Sequence, residues 1–159
     1  MKKLFIFLII LNFIFGFSQN LDLIKREVEQ INKIKNFKIK TIPNDYFVDV
    51  KNEVTDNGQE LKGYYNNNQL RKIQHTVGLS NWKVIYFYFF DKNENLIFIN
   101  KKTIQNIKNG CLPFMKVLSD DRYYFNNNKL IKKIEEKKSE NFDFIRLSNE
   151  LKNDLKNYK

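Results

Sequence analysis

Apolar residues recur at helical spacing in two segments of the chain. In the first, Leu21, Ile24, Val28 and Ile31 lie three or four positions apart. In the second, the apolar positions are Phe144, Leu147, Leu151, Leu155 and Tyr158. Such spacing places each set on one face of a helix. We therefore predict two amphipathic helices, of which the second packs on the sheet or, alternatively, presents a stripe that binds a partner.

Between these helices the spacing is typical of β-strands, with Val84–Phe90 as the clearest example. Its odd-numbered residues, Ile85 to Phe89, are expected to face the core. Its even-numbered residues, Val84 to Phe90, face the other way. Because both sets are apolar, both faces of the sheet need at least partial cover, and the first helix is the natural cover for one. Tyrosines on the other face can keep their hydroxyl groups in water.

One pattern occurs three times: aromatic residues, a polar turn rich in asparagine, and an aliphatic residue. The three copies are Gly63–Leu70, Phe89–Leu96 and Arg122–Leu130. Asparagine and aspartate adopt left-handed turn geometry at low cost, and aromatic residues suit a pleated face. Each copy therefore predicts a strand, a tight turn and a second strand. The whole region predicts an antiparallel meander of about six to eight strands.

Three further local predictions follow from residue types. Tyr46–Val50 is a candidate short strand. Asn57-Gly58 is the dipeptide best suited to a type I′ hairpin turn. The segment Lys101–Ser119 is expected to interrupt the meander, because Ile104 and Ile107 suggest a helical turn. Long connections of this kind are common places for binding function.

The start of the chain has the three parts of a secretory signal peptide. A basic Met1–Lys3 segment precedes an apolar stretch, Leu4–Phe17, and the small residues Gly16 and Ser18 precede a cut before Gln19. The apolar stretch has 14 residues, whereas a membrane-spanning helix needs about 20. We therefore expect cleavage and a periplasmic or secreted protein with no remaining transmembrane span. An uncleaved anchor is the alternative.

These elements predict an α+β fold. An antiparallel β-meander sheet carries the N-terminal helix packed on one face and has a C-terminal amphipathic helix against it or beside it. The predicted organisation is a signal peptide over 1–18, a helix and β-meander domain over 19–138, and the C-terminal helix over 139–159.

The formal net charge of +10 is compatible with binding to nucleic acid or to an anionic membrane. Most of the cations are lysines, however, and acidic residues are interspersed among them. An exported protein also rarely meets nucleic acid. We therefore attribute the charge to solubility and codon bias and expect no nucleic-acid partner. An anionic-surface binder is kept as an alternative function.

Catalytic and metal-binding patterns are largely missing from the sequence. His75 is the only histidine and Cys111 the only cysteine, so a histidine-based metal cluster and an internal disulfide are both excluded. We predict no catalytic residue, no metal and no cofactor. The enzymatic alternative is a small hydrolase that uses Asp120 or Asp121 together with His75.

Aromatic residues are the remaining functional signal. On an exposed sheet face they can stack on sugar rings or anchor a peptide, but they can also simply pack beneath the C-terminal helix. The candidate binding residues are Trp82, Tyr86, Tyr88, Tyr64 and Tyr123. We therefore expect a non-enzymatic envelope or secreted module that binds an unidentified protein or glycan partner.

The ordered combination of a leader, a helix and three aromatic–asparagine hairpins resembles small uncharacterised exported proteins common in Bacteroidota. The similarity covers Leu21 to Ile134. The hairpins are also similar to MORN-type repeats, in which an aromatic-glycine strand leads through a turn into a second strand. In this chain asparagine replaces most of those glycines. The resemblance implies export and a sheet of hairpins, and it implies no particular activity.

Overall fold

The computed structural model of the chain describes residues 20–109, 112–136 and 142–159. Within these residues seven strands form one antiparallel sheet in which each strand pairs with the next along the chain. The strands are β1 (Lys38–Ile42), β2 (Gln59–Asn66), β3 (Gln69–Gly78), β4 (Trp82–Phe90), β5 (Leu96–Asn109), β6 (Leu112–Asn126) and β7 (Lys129–Ile134). The helices are α1 (20–33), α2 (Asn44–Asp49) and α3 (Phe144–Asn157).

The predicted α+β fold and its β-meander are therefore confirmed. The predicted signal peptide over 1–18 and Cys111 lie outside the described residues, as do residues 137–141 ahead of α3. In the part of the chain that is described, no helix is both long and apolar enough to cross a membrane.

Two apolar clusters form the core, one on each face of the sheet. On the first face, α1 packs through Ile24 and Ile31 against Phe89 and its neighbours on β5 and β6. On the second face, α2 and α3 pack against a larger cluster that includes Tyr88 and Phe90. Burial of one large aromatic side chain contributes about 1.5–3 kcal/mol. Both faces of β4 therefore contribute to the core, as its two apolar sets predict.

All three predicted hairpins form, and they share a register shift next to the turn. In the first and third, both central turn residues have positive φ: Asn67 (49°) and Asn68 (63°), then Asn127 (48°) and Asn128 (56°). Each of the three has a register shift between its last two aromatic residues. The second of these aromatics then lies opposite the leucine of the same copy, in the pairs Tyr65–Leu70, Phe90–Leu96 and Phe125–Leu130.

The predicted strand over Tyr46–Val50 is wrong, because these residues belong to α2 and its C-cap. In the helix, Phe47 is buried in the core on the α3 face, and the hydroxyl of Tyr46 reaches Asp154 of α3. Asn57-Gly58 joins this helix to β2 and is not a hairpin turn between two strands. Only Gly58 of the pair has positive φ (72°), whereas a type I′ turn requires it at both positions.

The predicted interruption of the meander over Lys101–Ser119 is also wrong. Among the described residues, β5 and β6 pair from Phe98 opposite Tyr124 to Asn109 opposite Leu112, with one register shift between Thr103 and Ile104. Lys101 lies opposite Asp121, and opposite charges placed directly across a strand pair stabilise the pairing. The helical spacing of two isoleucines is therefore outweighed by a partner strand that the local pattern does not reveal.

A substitution at Gly78 tests how closely the loop before β2 packs on the end of β3. A Cβ atom on Gly78 would lie 2.5 Å from the main-chain oxygen of Asn57, so backbone would have to move. We expect Gly78→Ala to lower the free energy of unfolding by about 1–3 kcal/mol, measured by urea denaturation. The matched control is Gly63→Ala, whose Cβ would meet the flexible end of Leu155 at 2.8 Å. An equal or larger loss in the control would contradict this expectation.

Candidate functional site

The five predicted binding residues do not share one surface. Tyr88 is 0% exposed and Tyr123 is 2% exposed, both in the core beneath α3. The ring of Tyr123 lies 4.5 Å from that of Phe144, centroid to centroid. The hydroxyl of Tyr88 is buried without a hydrogen-bond partner among the described residues. The expectation that this hydroxyl group stays in water is therefore wrong. Neither tyrosine is available to a surface ligand.

Tyr64 and Tyr86 are partly buried on opposite faces of the sheet. On the α1 face, Tyr64 packs edge-on against Phe37, and Lys72 Nζ lies 4.5 Å above the centre of its ring. On the α3 face, Tyr86 stacks between His75 and Tyr88, with centroid distances of 6.2 and 6.1 Å. Both tyrosines are therefore held mainly by contacts within the fold.

The residues of the hydrolase alternative are not assembled into a catalytic group. His75 is only 8% exposed, and its Nε2 lies 3.0 Å from Oε1 of Gln59. Cross-strand pairing places Asp121 in the same row of residues across the sheet, three strand spacings or about 14 Å from His75. Asp121 instead accepts a hydrogen bond from the main-chain nitrogen of Glu136 at 3.1 Å.

Asp120 lies on the α1 face of the sheet, whereas His75 lies on the α3 face, so the two side chains do not form a catalytic pair. Burial would raise the pKa of Asp120, but hydrogen bonds from Asn100 and Arg122 outweigh it, and the pKa lies below its usual value. Among the described residues, no three His, Cys, Asp or Glu side chains are placed to hold a metal ion.

The burial of His75 predicts a pH-dependent stability. Burial lowers its pKa from 6.5 to about 4, and the nearby Asp154 charge offsets this only in part. Between these two values the unfolded chain binds the proton and the folded chain does not. The contribution of neutral His75 to the free energy of unfolding is therefore fully present above about pH 6.5. It is lost as the pH drops toward 4, and the total loss is up to about 3 kcal/mol.

Urea denaturation at pH 7 and pH 5 measures this loss. His75→Gln is the matched control, because His75 is the only histidine and glutamine can still bond to Gln59. We expect the variant to lose much less stability than the parent protein over this range. Equal pH dependence in the two proteins would show that another group is responsible.

Trp82 is the predicted residue that remains accessible, and it borders a basin. It is 46% exposed at the start of β4. The basin has a volume of about 720 Å³ and lies between the β3–β4 turn and the loop that leads into β2. Beside apolar carbon surface, its lining includes a set of polar residues: Asn44, Asn57, Gln59, Glu60, Thr76, Ser80, Asn81 and Lys83. We call this site the Trp82 basin.

Two asparagines build the walls of the basin. Asn57 Nδ2 donates to the main-chain oxygens of Leu79 and Ser80, at 2.6 and 3.2 Å, and so ties the loop to the β3–β4 turn. Asn44 Oδ1 accepts from the main-chain nitrogen of Gln59 at 2.8 Å. These asparagines are engaged in structure, whereas the side chains of Asn81 and Lys83 make no hydrogen bond within the described residues.

The sequence identifies Trp82 but misses the rest of the basin. Asn44 begins α2 and Asn57 lies in the loop that leads into β2, and both come 25 or more residues before Trp82 in the chain. Their residue types signal turns, and Asn57-Gly58 is such a signal, but a turn residue does not show which distant strand its loop will contact.

No family model, curated protein or solved structure matches this chain.

Proposed function

We propose that this chain is an exported, non-enzymatic binding module that holds a glycan at the Trp82 basin. The observation that carries the proposal is a half-exposed tryptophan beside a basin lined by amide and hydroxyl groups. The flat apolar face of an indole ring stacks on the C–H groups of a sugar, while amides and hydroxyls exchange hydrogen bonds with its hydroxyl groups.

A glycan fits this lining better than a peptide anchored by apolar side chains. Such an anchor needs a desolvated apolar pocket, whereas Leu79 is the one aliphatic side chain that the described part of the chain contributes to the lining. Asn81 and Lys83 can offer hydrogen bonds to a ligand, because neither is engaged within the described part of the fold. The basin thus combines one stacking surface with several polar groups.

The basin can be tested by the fluorescence of its own tryptophan, since Trp82 is the only tryptophan in the chain. Soluble cello- and chito-oligosaccharides are titrated against the purified protein. We expect a saturable change in emission for at least one of them. Calorimetry should show that Trp82→Ala weakens this binding by about tenfold or more, because a buried aromatic anchor typically dominates the binding energy.

The matched control is Phe142→Ala, which removes an aromatic ring of similar exposure (47%) from beside α3. This variant should bind as the parent protein does, and both variants should keep the parent circular dichroism spectrum. If no oligosaccharide changes the emission, or if Trp82→Ala binds normally, the glycan proposal is wrong.

Export is proposed from the leader-like pattern of the first eighteen residues. We expect mass spectrometry of the protein from its native cells to find an N-terminus at Gln19, in the periplasmic fraction or the medium. Recovery of a cytosolic form that still begins at Met1 would contradict both cleavage and export.

A further inference from the structure

A second cavity lies at the opposite end of the sheet from the Trp82 basin, between α3 and the edge strand β1. Its volume is about 760 Å³, and it reaches the β2–β3 turn and Glu94 of the β4–β5 turn. Four lysines line it, two on β1 and two on α3: Lys38, Lys40, Lys152 and Lys156. We call this cavity the lysine cleft.

The positive charge of the lysine cleft is not neutralised from within. Among the described residues that line the cleft, Glu94 is the one carboxylate, and its Oε1 accepts from the main-chain nitrogen of Leu70 at 3.0 Å. Lys152 Nζ donates to the main-chain oxygen of Glu94 at 3.2 Å, and Lys40 Nζ donates to that of Tyr158. Across the described ranges, none of the four lysines has a carboxylate oxygen within 4.0 Å.

Protection of a sheet edge explains only half of this arrangement. Lysines on an exposed edge strand discourage pairing with other chains, which accounts for Lys38 and Lys40 on β1. It does not account for Lys152 and Lys156, which α3 places on the facing wall. Like charges brought together on two packed elements repel each other and lower stability. A bound anion would remove that repulsion.

Two of the four ammonium groups are already held in place. Lys152 Nζ lies 5.3 Å from the centre of the Phe90 ring, and Lys40 Nζ lies 6.0 Å from that of Tyr158. Because these contacts already restrict the two lysine side chains, less side-chain conformational entropy is lost when a ligand binds. Each ammonium group has three donors, so a single hydrogen bond to a main-chain oxygen leaves two for a ligand.

The residue types favour phosphate over carboxylate as the ligand group. No arginine is among the described residues that line the cleft, so no planar fork is present to pair with either a carboxylate or a phosphate through two hydrogen bonds, and the charge of the ligand decides the preference. Lysine acts as a point charge and suits the more highly charged phosphate group. From this geometry we propose that the lysine cleft binds a ligand with several phosphate charges. This site is independent of the Trp82 basin and of the proposed glycan.

Titration with inorganic tripolyphosphate tests the proposal. Calorimetry at low ionic strength should show saturable binding to a single site, which weakens as salt is added. The variant Lys38→Gln/Lys156→Gln removes one exposed lysine from each wall, and we expect it to bind about tenfold or more weakly. Glu94→Gln keeps an acceptor for Leu70 but removes the opposing charge, so it should bind more tightly.

The control variant is Lys129→Gln/Lys132→Gln, which makes the same change in net charge with two exposed lysines on β7. It should bind tripolyphosphate as the parent protein does. Absence of saturable binding, or an equal loss in the two double variants, would overturn the proposal. Equal binding of oligoglutamate would also overturn it, because the cleft would then select charge and not phosphate.

Stability without ligand separates a binding role from a structural one. We expect Lys38→Gln/Lys156→Gln to be at least as stable as the parent, because it relieves repulsion between the two walls. A marked loss of stability would make the lysines structural and would overturn the proposal. Vesicles of phosphatidylcholine with and without phosphatidic acid then identify the phosphate source. Capture that depends on phosphatidic acid and is lost only in the cleft variant supports a lipid headgroup, and tripolyphosphate binding alone supports a free phosphate ligand.

Discussion

The central strand β4 has two apolar faces, and most of the fold follows from covering both of them. Phe89 needs α1 on one side, while Tyr88 and Phe90 need α3 on the other. A sheet enclosed in this way has little accessible surface at its centre. The two cavities proposed as sites lie where strands end and turns meet helices, at opposite ends of the sheet.

The same constraint explains what local sequence patterns could and could not predict. The asparagine turns were predictable because positive φ suits asparagine, and each turn fixes the register of its hairpin through a bulge and an aromatic–leucine pair. α2 and the long β5–β6 pairing were not predictable, because each depends on contacts with residues distant in the sequence. Phe47 of α2 is buried in the core on the α3 face, and Lys101 pairs across the sheet with Asp121, a residue 20 positions later in the chain.

The candidate sites also contain residues that the sequence could identify and residues that it could not. Trp82 could be found from residue type and its place at a strand start. Tyr88 could not be separated from it, because in a strand with two apolar faces alternation does not tell which aromatics a helix will cover. The lysine cleft had no sequence signal. Its four lysines come from positions 38–40 and 152–156, over 100 residues apart, and in the sequence they resemble the ordinary surface lysines of a basic chain.

The position of α3 links the core to the lysine cleft. On one side of this helix, Asp154 accepts hydrogen bonds from Tyr46 at 3.0 Å and from Lys51 at 3.2 Å, which tie α3 to α2 and to the turn that follows α2. Leu155 packs over Gly63, where the missing side chain lets the helix approach β2 closely. Both contacts set the distance between the lysines of α3 and those of β1. The repulsion across the cleft is therefore balanced by a satisfied polar network and a close apolar contact, so the cleft can hold an uncompensated charge without opening the fold.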